Sequence, residues 1–246
     1  MNTFFFVILP YIALLSLIGG SIYRYFYRGF KVSSLSSQIL ESKILFFGSR
    51  PFHWGIVTLF FGHLIGFLIP RSVLAWNGKP FRLYVLEVTA LAFALAALIG
   101  IAVLIYRRSS VKRIQVVTTK MDVFVLTILP VAIISGIYTA IFYRWGSSWF
   151  AGVMAPYLRT IFKLNPDISV IITLPLMVRI HVATAFIIFG MFPFTRLIHM
   201  LVYPLHYFFR AYQVVIWNKR GPGYTELHRE GTELQRAPDS SHASAL

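Results

Sequence analysis

Long apolar stretches alternate with polar ones along the chain, and five of them are long enough to cross a bilayer as helices. A spanning helix needs about 20 consecutive, largely apolar residues. The five predicted spans are Phe4–Tyr23, His53–Pro70, Tyr84–Tyr106, Asp122–Tyr143 and Leu174–Tyr203. The pattern therefore predicts an all-α integral membrane bundle of five transmembrane helices. The first is interpreted as a retained helix, because no basic segment precedes it and no small-residue cleavage site follows it.

Two polar segments interrupt or follow these spans. Ser148–Lys163 mixes aromatic side chains with Arg159 and Lys163, which predicts an interfacial helix on the outer surface. The chain becomes polar after about residue 217. The predicted organisation is a membrane domain over 1–217 and a polar cytoplasmic tail over 218–246.

Composition supports the membrane assignment and narrows the chemistry. The 246 residues are 57% hydrophobic and only 13% charged, whereas soluble domains are about one quarter charged. There is no cysteine, which excludes disulfide scaffolds, thiolate zinc sites and cysteine-held iron–sulfur clusters in this chain. Any metal must use histidine, methionine or carboxylate ligands.

The basic residues predict an orientation. The chain has 23 Lys and Arg against 8 Asp and Glu, a formal net charge of +15. Fifteen of the 23 fall after predicted helices one, three and five, and six fall in the opposite loops. The positive-inside rule then puts the N-terminus outside and the C-terminus in the cytoplasm. We expect a multi-pass protein of the cell (inner) membrane that contacts lipid, with no nucleic acid partner, and with basic residues available to a soluble subunit.

Four of the seven histidines lie inside two predicted spans: His53 and His63 in the second, and His181 and His199 in the fifth. Ionisable groups within a bilayer are costly and usually functional. The two helices are antiparallel, so His53 should meet His199 near the cytoplasmic side and His63 should meet His181 towards the outer side. His181 and His199 are five ideal helical turns apart, about 27 Å, and we expect Pro193 to kink or loosen that spacing.

Two imidazole pairs without cysteine or a carboxylate cluster favour b-type haem over zinc, because zinc takes four ligands and haem iron needs only two axial ones. An interhelical hydrogen bond is the alternative for any single histidine. Glycines 55, 62 and 66 would admit a flat macrocycle, or simply pack helices. The candidate propionate partners are Arg107 or Arg108, Arg179 and Arg196, each otherwise an interfacial side chain. Glu87, the one acid well inside a helix, faces a polar site or lies near the interface.

Several motifs run in a recognisable order through the membrane part. They are Ser36-Ser37-Gln38, Phe52-His53-Trp54-Gly55-Ile56, Gly62-His63, Arg107-Arg108, Thr118-Thr119 with Asp122, Arg179-Ile180-His181 and Phe192-Pro193-Phe194-Thr195-Arg196-Leu197-Ile198-His199. In these motifs the chain resembles the gamma subunits of membrane-bound respiratory nitrate reductases, which are di-haem cytochrome b anchors.

The resemblance implies two haem b groups, one held by His53 and His199 and one by His63 and His181. It implies quinol oxidation near the outer haem, around Gly62, His63 and Gly66 with Lys79 or Arg82 as the basic residue. It also implies an iron–sulfur subunit and a molybdopterin catalytic subunit on the cytoplasmic face, the latter reducing nitrate. Two alternatives stay open: a similar subunit of a nitrite oxidoreductase or other molybdoenzyme with electrons running towards quinone, and a transporter or structural anchor without haem.

Overall fold

The computed structural model describes residues 1–27 and 40–200, and all regular structure within these residues is helical. Its α-helices, numbered in chain order, are α1 (Leu9–Tyr27), α2 (Lys43–Leu68), α3 (Pro70–Asn77), α4 (Pro80–Ser110), α5 (Lys112–Val116), α6 (Lys120–Phe142), α7 (Gly146–Trp149), α8 (Ala155–Phe162) and α9 (Leu176–Met191). Short π-helical segments cover Phe4–Ile8 and Phe150–Met154, and 3-10 turns cover Ile171–Thr173, Phe192–Phe194 and Arg196–Ile198.

Five helical stretches in the described residues are long and apolar enough to cross a membrane, which confirms the predicted number of spans. They are Phe4–Tyr27, Lys43–Leu68, Pro80–Ser110, Lys120–Phe142 and Leu176–Phe194. The second begins ten residues before its predicted start at His53, and Pro51 lies inside it without ending it. The predicted boundary between 217 and 218 lies outside the described residues.

The fifth span differs from the prediction. A single helix over Leu174–Tyr203 is wrong: α9 ends at Met191, and two 3-10 turns follow on either side of Thr195. Thr195 has an extended backbone, with φ −113° and ψ 174°. Pro193 lacks an N–H and its ring opposes continuation of an α-helix, so the chain leaves the helical path here. The expected effect of Pro193 is confirmed.

Helix α1 compensates for this break. The Ser16 hydroxyl donates to the carbonyl oxygen of Gly190 at 2.6 Å, and Nη1 of Arg24 donates to the carbonyl oxygen of Pro193 at 2.5 Å. A carbonyl left without a donor in hydrocarbon is costly. These two side chains therefore stabilise the point at which the fifth span stops being α-helical.

Helices α2 and α4 pack with their backbones in close contact. A Cβ on Gly55 would lie 2.5 Å from the carbonyl oxygen of Phe93, and one on Gly100 would overlap the backbone of Phe52 and Gly48. Only glycine permits this approach. Gly55 thus contacts the main chain of α4, which is the helix-packing alternative rather than room for a macrocycle. The pairing also fixes α2 and α4 as antiparallel neighbours.

The connection between α6 and α9 contains the predicted interfacial segment. In place of one helix over Ser148–Lys163, the chain forms α7, the π-helical segment Phe150–Met154 and α8 in succession. Trp145 has a left-handed backbone with φ 70°, a conformation that turns the chain sharply from α6 into α7. The helical prediction is confirmed, with a π-helical interruption that the sequence pattern did not reveal.

Candidate functional site

The structure brings the four predicted histidines together in two pairs. The ring centres of His53 and His199 are 6.0 Å apart, and those of His63 and His181 are 6.2 Å apart. His53 and His63 lie ten residues apart in α2, about 15 Å of helical rise, whereas an unbroken helix would separate His181 and His199 by about 27 Å. The redirection of the chain at Pro193 and Thr195 removes this mismatch.

All four rings are oriented by the main chain. Nδ1 of His53 hydrogen-bonds the carbonyl oxygen of Ser49 at 2.7 Å, Nδ1 of His63 that of Leu59 at 2.8 Å, and Nδ1 of His181 that of Ala132 at 2.8 Å. Nδ1 of His199 hydrogen-bonds the carbonyl oxygen of Arg196. A carbonyl can only accept, so each Nδ1 carries the hydrogen. Each Nε2 is left with its lone pair, the form in which imidazole binds a metal.

The spacing of the ring centres matches two imidazoles on opposite sides of one metal ion. A metal–nitrogen bond of about 2 Å puts each ring centre about 3 Å from the metal, so two opposed rings have centres about 6 Å apart. A tetrahedral ion would bring its ligands closer together and requires further donors. In residues 1–27 and 40–200, no group of three or more His, Cys, Asp or Glu side chains is placed to hold a metal.

Gly136 in α6 makes room for the second pair. A Cβ on this residue would lie 2.8 Å from Cε1 of His181 and 3.2 Å from its Nδ1. The same helix supplies the Ala132 carbonyl that orients His181. Sequence reasoning missed Gly136, although it lies four residues beyond Ala132, on the same face of the helix.

A charged network lies at the end of the bundle that carries His53 and His199. The carboxylate of Asp122, 8% exposed, accepts from Nη1 of Arg108 at 3.1 Å and from Nε of Arg196 at 2.9 Å. Asp122 also forms a capping box with Thr119 at the start of α6. Arg196 thus orients the His199 ring through its carbonyl oxygen, and the ion pair with Asp122 holds the side chain of Arg196 itself.

A second ion pair closes the same end. Nε of Arg107, almost fully buried, donates to Oε2 of Glu41 at 2.7 Å. Desolvation of Glu41 disfavours its charge, but the hydrogen bond from Arg107, the backbone N–H groups of Ile44 and Leu45 and the positive charge of Arg107 together outweigh this, so the pKa of Glu41 lies below its ordinary value. Arg107 therefore links α4 to Glu41, which lies two residues before the start of α2. The sequence did not identify Glu41, since the two residues are 66 positions apart.

The end that carries His63 and His181 is covered by the segment after α7. The ring of Phe150 packs edge-on against His63, with centroids 5.0 Å apart. A Cβ on Gly66 would lie 2.8 Å from that phenylalanine ring, so Gly66 admits Phe150. Arg159 in α8 donates from Nη2 to the carbonyl oxygens of Phe67 and Leu68, at 3.1 and 3.3 Å, where α2 ends.

The predicted quinol residues are only partly brought together. His63 and Gly66 share the contact with Phe150, while Gly62 has nothing within 4 Å of a Cβ placed on it. Lys79 is exposed at the N-cap of α4. The guanidinium of Arg82 lies over the ring of Trp76, 4.9 Å from its centroid. Trp76 is a further aromatic side chain at this end that the sequence reasoning did not single out.

Arg179 contributes a buried donor near the His63/His181 pair. It lies two residues before His181 in α9, and its Nε is buried with no hydrogen-bond partner in the described part of the chain. A buried donor of this kind favours an anionic or carbonyl acceptor. Of the three predicted anion-binding arginines, Arg108 and Arg196 contact Asp122, and Arg179 has this unfilled donor.

Glu87 lies in a polar group of its own. Its Oε1 accepts from the backbone N–H of Ser147 at 2.8 Å and from the Ser147 hydroxyl at 2.6 Å. Nδ2 of Asn77, which is buried, donates to the hydroxyls of Ser147 and Ser148, each at 2.9 Å. The sequence analysis singled out Glu87 and left two environments open for it. In the structure, Glu87 faces a protein-lined polar site. Asn77 and Ser147 carried no pattern that would have identified them.

The fold and site define a class: a helical membrane protein with two opposed imidazole pairs, each formed by one histidine of the second span and one histidine of α9 or of the turns that follow it. Residues 2–218 match the nitrate reductase gamma subunit family, and the chain belongs to this family. It is 36% identical over 217 residues to the nitrate reductase gamma chain of Bacillus subtilis, covering 87% of this chain and 96% of that one.

Two further relatives extend the comparison. The respiratory nitrate reductase 2 gamma chain of Escherichia coli is 32% identical over 223 residues, 87% of this chain and 96% of the relative. The nitrate reductase-like protein NarX of Mycobacterium tuberculosis is 30% identical over 225 residues, 89% of this chain but 34% of that longer protein. The gamma chains therefore correspond to this chain over nearly their whole length, whereas NarX resembles it over one third.

Proposed function

We propose that the chain is the di-haem cytochrome b subunit of a membrane-bound nitrate reductase complex, which oxidises a quinol and passes the electrons to a partner subunit. The observation that carries this proposal is the pair of histidine pairs, with ring centres 6.0 and 6.2 Å apart. The orientation of all four Nδ1 atoms towards main-chain carbonyls supports it, because it presents Nε2 for metal binding.

The residues present fit haem better than a bare ion. Two opposed imidazoles complete the coordination of an iron that already has four macrocycle nitrogens. His53 and His199 would hold one haem, and His63 and His181 the other. When bound, the two haems supply one-electron carriers across the membrane. The protein's part is to fix the axial imidazoles, and Gly136 and the four carbonyl acceptors do this.

The anionic edges of the two haems would meet different partners. At the His53/His199 end, Arg108 and Arg196 share Asp122. A guanidinium group can also hydrogen-bond a carboxylate of a haem, so these two arginines are the candidate propionate partners there. At the His63/His181 end, the buried Nε of Arg179 is the donor with unused capacity.

The His63/His181 end suits quinol oxidation. Exposed Lys79 and Arg82 lie at the start of α4, and Arg82 is held over Trp76. A cation stacked on an aromatic ring presents its remaining N–H groups in a fixed direction, suitable for a quinol oxygen. We infer that replacing Arg82 or Lys79 slows haem reduction by quinol without removing haem. Unchanged quinol kinetics in both variants would contradict this location.

Orientation and partners follow from charge. The His53/His199 end carries the basic loops and would face the cytoplasm, where an iron–sulfur subunit and a molybdopterin catalytic subunit would dock. The His63/His181 end would then face outwards. Oxidising quinol outside and sending electrons inwards moves negative charge across the membrane. The subunit would thereby contribute to a proton-motive force.

The test is a haem count on the purified complex. A reduced-minus-oxidised spectrum of the wild type should show b-type absorption from two haems, and His63→Ala and His199→Ala should each retain one. His228→Ala, in the predicted tail, is the matched control and should retain both. A wild-type complex without a b-type band would overturn the cytochrome proposal. Two haems in either ligand variant would overturn the pairing.

A further inference from the structure

Glu87 has no part in the function proposed above, although it is the only carboxylate within the five described spans apart from Asp122. Asp122 is occupied by two arginines at the opposite end of the bundle. An acid in a spanning segment is a functional candidate when its partner can be named. For Glu87 the partner is Ser147, which donates both its backbone N–H and its hydroxyl to Oε1.

The helix register places Glu87 at the depth of His63. Gly55 of α2 lies against Phe93 and Ala97 of α4, and Gly100 of α4 lies against Gly48 and Phe52. In this antiparallel pairing each step towards the start of α4 corresponds to a step towards the end of α2. Continuing it by about two turns from Phe93 puts Glu87 level with the turn that contains His63.

The segment after α6 joins the two residues. Ser147 contacts Glu87, and Phe150, one helical turn later, packs on His63. Ser147 also connects Glu87 to Asn77, two residues before Lys79. The same few residues therefore contact the carboxylate, the histidine and the start of the loop to which we assign the quinol.

The hydrogens in this group have a defined direction. The Ser147 hydroxyl has one hydrogen, and its 2.6 Å contact to the Glu87 carboxylate uses it. Asn77 must therefore present its NH₂ to Ser147, which leaves Asn77 Oδ1 as an acceptor. That oxygen is buried and has no partner among the described residues. Its free lone pairs suit an O–H donor, which would then lie beside the Ser147 hydroxyl.

We propose that Glu87 accepts the protons of a quinol oxidised at the His63/His181 end, with the Ser147 hydroxyl as relay. This rests on the proposed function, which supplies haem iron as the electron acceptor. For each electron that leaves the quinol, a quinol O–H bond breaks and its proton passes to Oγ of Ser147. The hydroxyl proton of Ser147 passes to Oε1 of Glu87, where a carboxylic O–H bond forms.

The neighbouring groups leave Glu87 as the acceptor. The titratable and charged side chains at this end of the elements packed against α4 are His63 and the cation Arg71, with Tyr138, Tyr143 and Arg144 at the end of α6 and after it. Arginine is already protonated near neutral pH, and a tyrosine can accept a proton only when it is in its anionic phenolate form. His63 is assigned to metal. Glu87 is half-buried, so its proton can pass on towards the surface.

The experiment compares Glu87→Gln with wild type in the assembled, haem-replete complex. Reduction of the haems by menadiol requires proton release, whereas reduction by dithionite does not. We expect Glu87→Gln to slow menadiol-driven reduction about 100-fold, the scale of a lost general base, and to flatten its pH dependence. Haem content and dithionite reduction should not change. Glu87→Asp should restore part of the rate, and Asp167→Asn, at an exposed carboxylate outside the spans, should match wild type.

A second variant separates proton transfer from packing. Ser147→Ala keeps the carboxylate but removes the relay, so it should slow menadiol oxidation as well. A wild-type menadiol rate in either Glu87→Gln or Ser147→Ala, with haem intact, would overturn the proposal. If Glu87→Gln loses haem, Ser147→Ala decides. A wild type that lacks haem or is not reduced by menadiol would instead overturn the proposed function, so the two failures are distinguishable.

Discussion

The two ends of the bundle hold similar histidine pairs by different means. At the His53/His199 end, buried or half-buried charges are neutralised in pairs, with Asp122 between two arginines and Glu41 on Arg107. At the His63/His181 end, the contacts are an aromatic edge, hydrogen bonds to carbonyls and one carboxylate bound to hydroxyl and amide groups. Opposite charges are paired with each other at the first end, whereas the charged groups at the second end contact neutral partners.

The difference fits the two tasks in the proposed function. Electron exit requires only a fixed carrier next to a partner subunit, and multiple ion pairs at helix ends fix that geometry. A quinol site must admit a substrate and release protons, so it needs groups that can move or change protonation. Phe150 on His63 and Glu87 on Ser147 are contacts of this second kind.

The largest expected effect is the loss of both histidine pairs by one substitution. Gly100→Leu would force a side chain into the backbone of α2 at Gly48 and Phe52, and α2 carries one histidine of each pair. We expect destabilisation of about 3 kcal/mol or more and loss of both haems from the purified protein. Gly19→Leu is the matched control, because nothing lies within 4 Å of a Cβ there. Two haems in Gly100→Leu would show that the α2–α4 contact is not needed.

A substitution at Gly136 should affect the His63/His181 pair and leave the His53/His199 pair intact. In Gly136→Val the added carbons would meet the His181 ring, whose Cε1 lies 2.8 Å from the position of a Cβ. We expect the His63/His181 haem to be lost while the His53/His199 haem stays, so the spectrum should report one haem. Gly136→Ala should show a partial loss. Two haems of normal absorption in the valine variant would contradict the steric role of this glycine.

The sequence predicted the parts of this arrangement that depend on local pattern. Five spans follow from runs of apolar residues, and the pairing of His63 with His181 follows from their order in antiparallel helices. The sequence also predicts that Pro193 kinks the fifth helix. It does not predict how far the helix is interrupted, because the freed carbonyls accept hydrogen bonds from Ser16 and Arg24, more than 160 residues away in the chain.

The contacts that sequence reasoning missed are distant in the chain or small. Glu41 and Arg107 are 66 residues apart, and Asn77 and Ser147 are 70 apart. Neither pair forms a periodic pattern. Gly136 is one of 16 glycines, and its role depends on a side chain in another helix. Tertiary contacts of this kind become visible only when the helices are placed against each other.

Removing the carboxylate of Asp122 should shift the midpoint potential at the His53/His199 end without disrupting that histidine pair. Asp122→Asn leaves Arg108 and Arg196 with no carboxylate between them, and the added positive charge would favour the reduced form of the haem proposed at that end. We expect its midpoint potential to rise by about 50 mV, since about 1 kcal/mol of charge interaction is reasonable at a partly buried site. A redox titration should resolve this shift, while the other haem keeps its potential. Asp167→Asn should leave both unchanged, and an equal shift of both haems would contradict the assignment.

The smallest expected difference compares one arginine from each end. Arg108→Gln removes a charged hydrogen bond to buried Asp122, so we expect a loss of about 1.5 kcal/mol in stability. Arg159→Gln removes exposed hydrogen bonds to the Phe67 and Leu68 carbonyls, worth about 0.5 kcal/mol. Thermal unfolding of the complex at low and high salt measures both. The larger loss for Arg108→Gln should persist at high salt, because a buried ion pair is screened much less than an exposed one. Equal losses for the two variants at both salt concentrations would mean that charge does not distinguish the two ends.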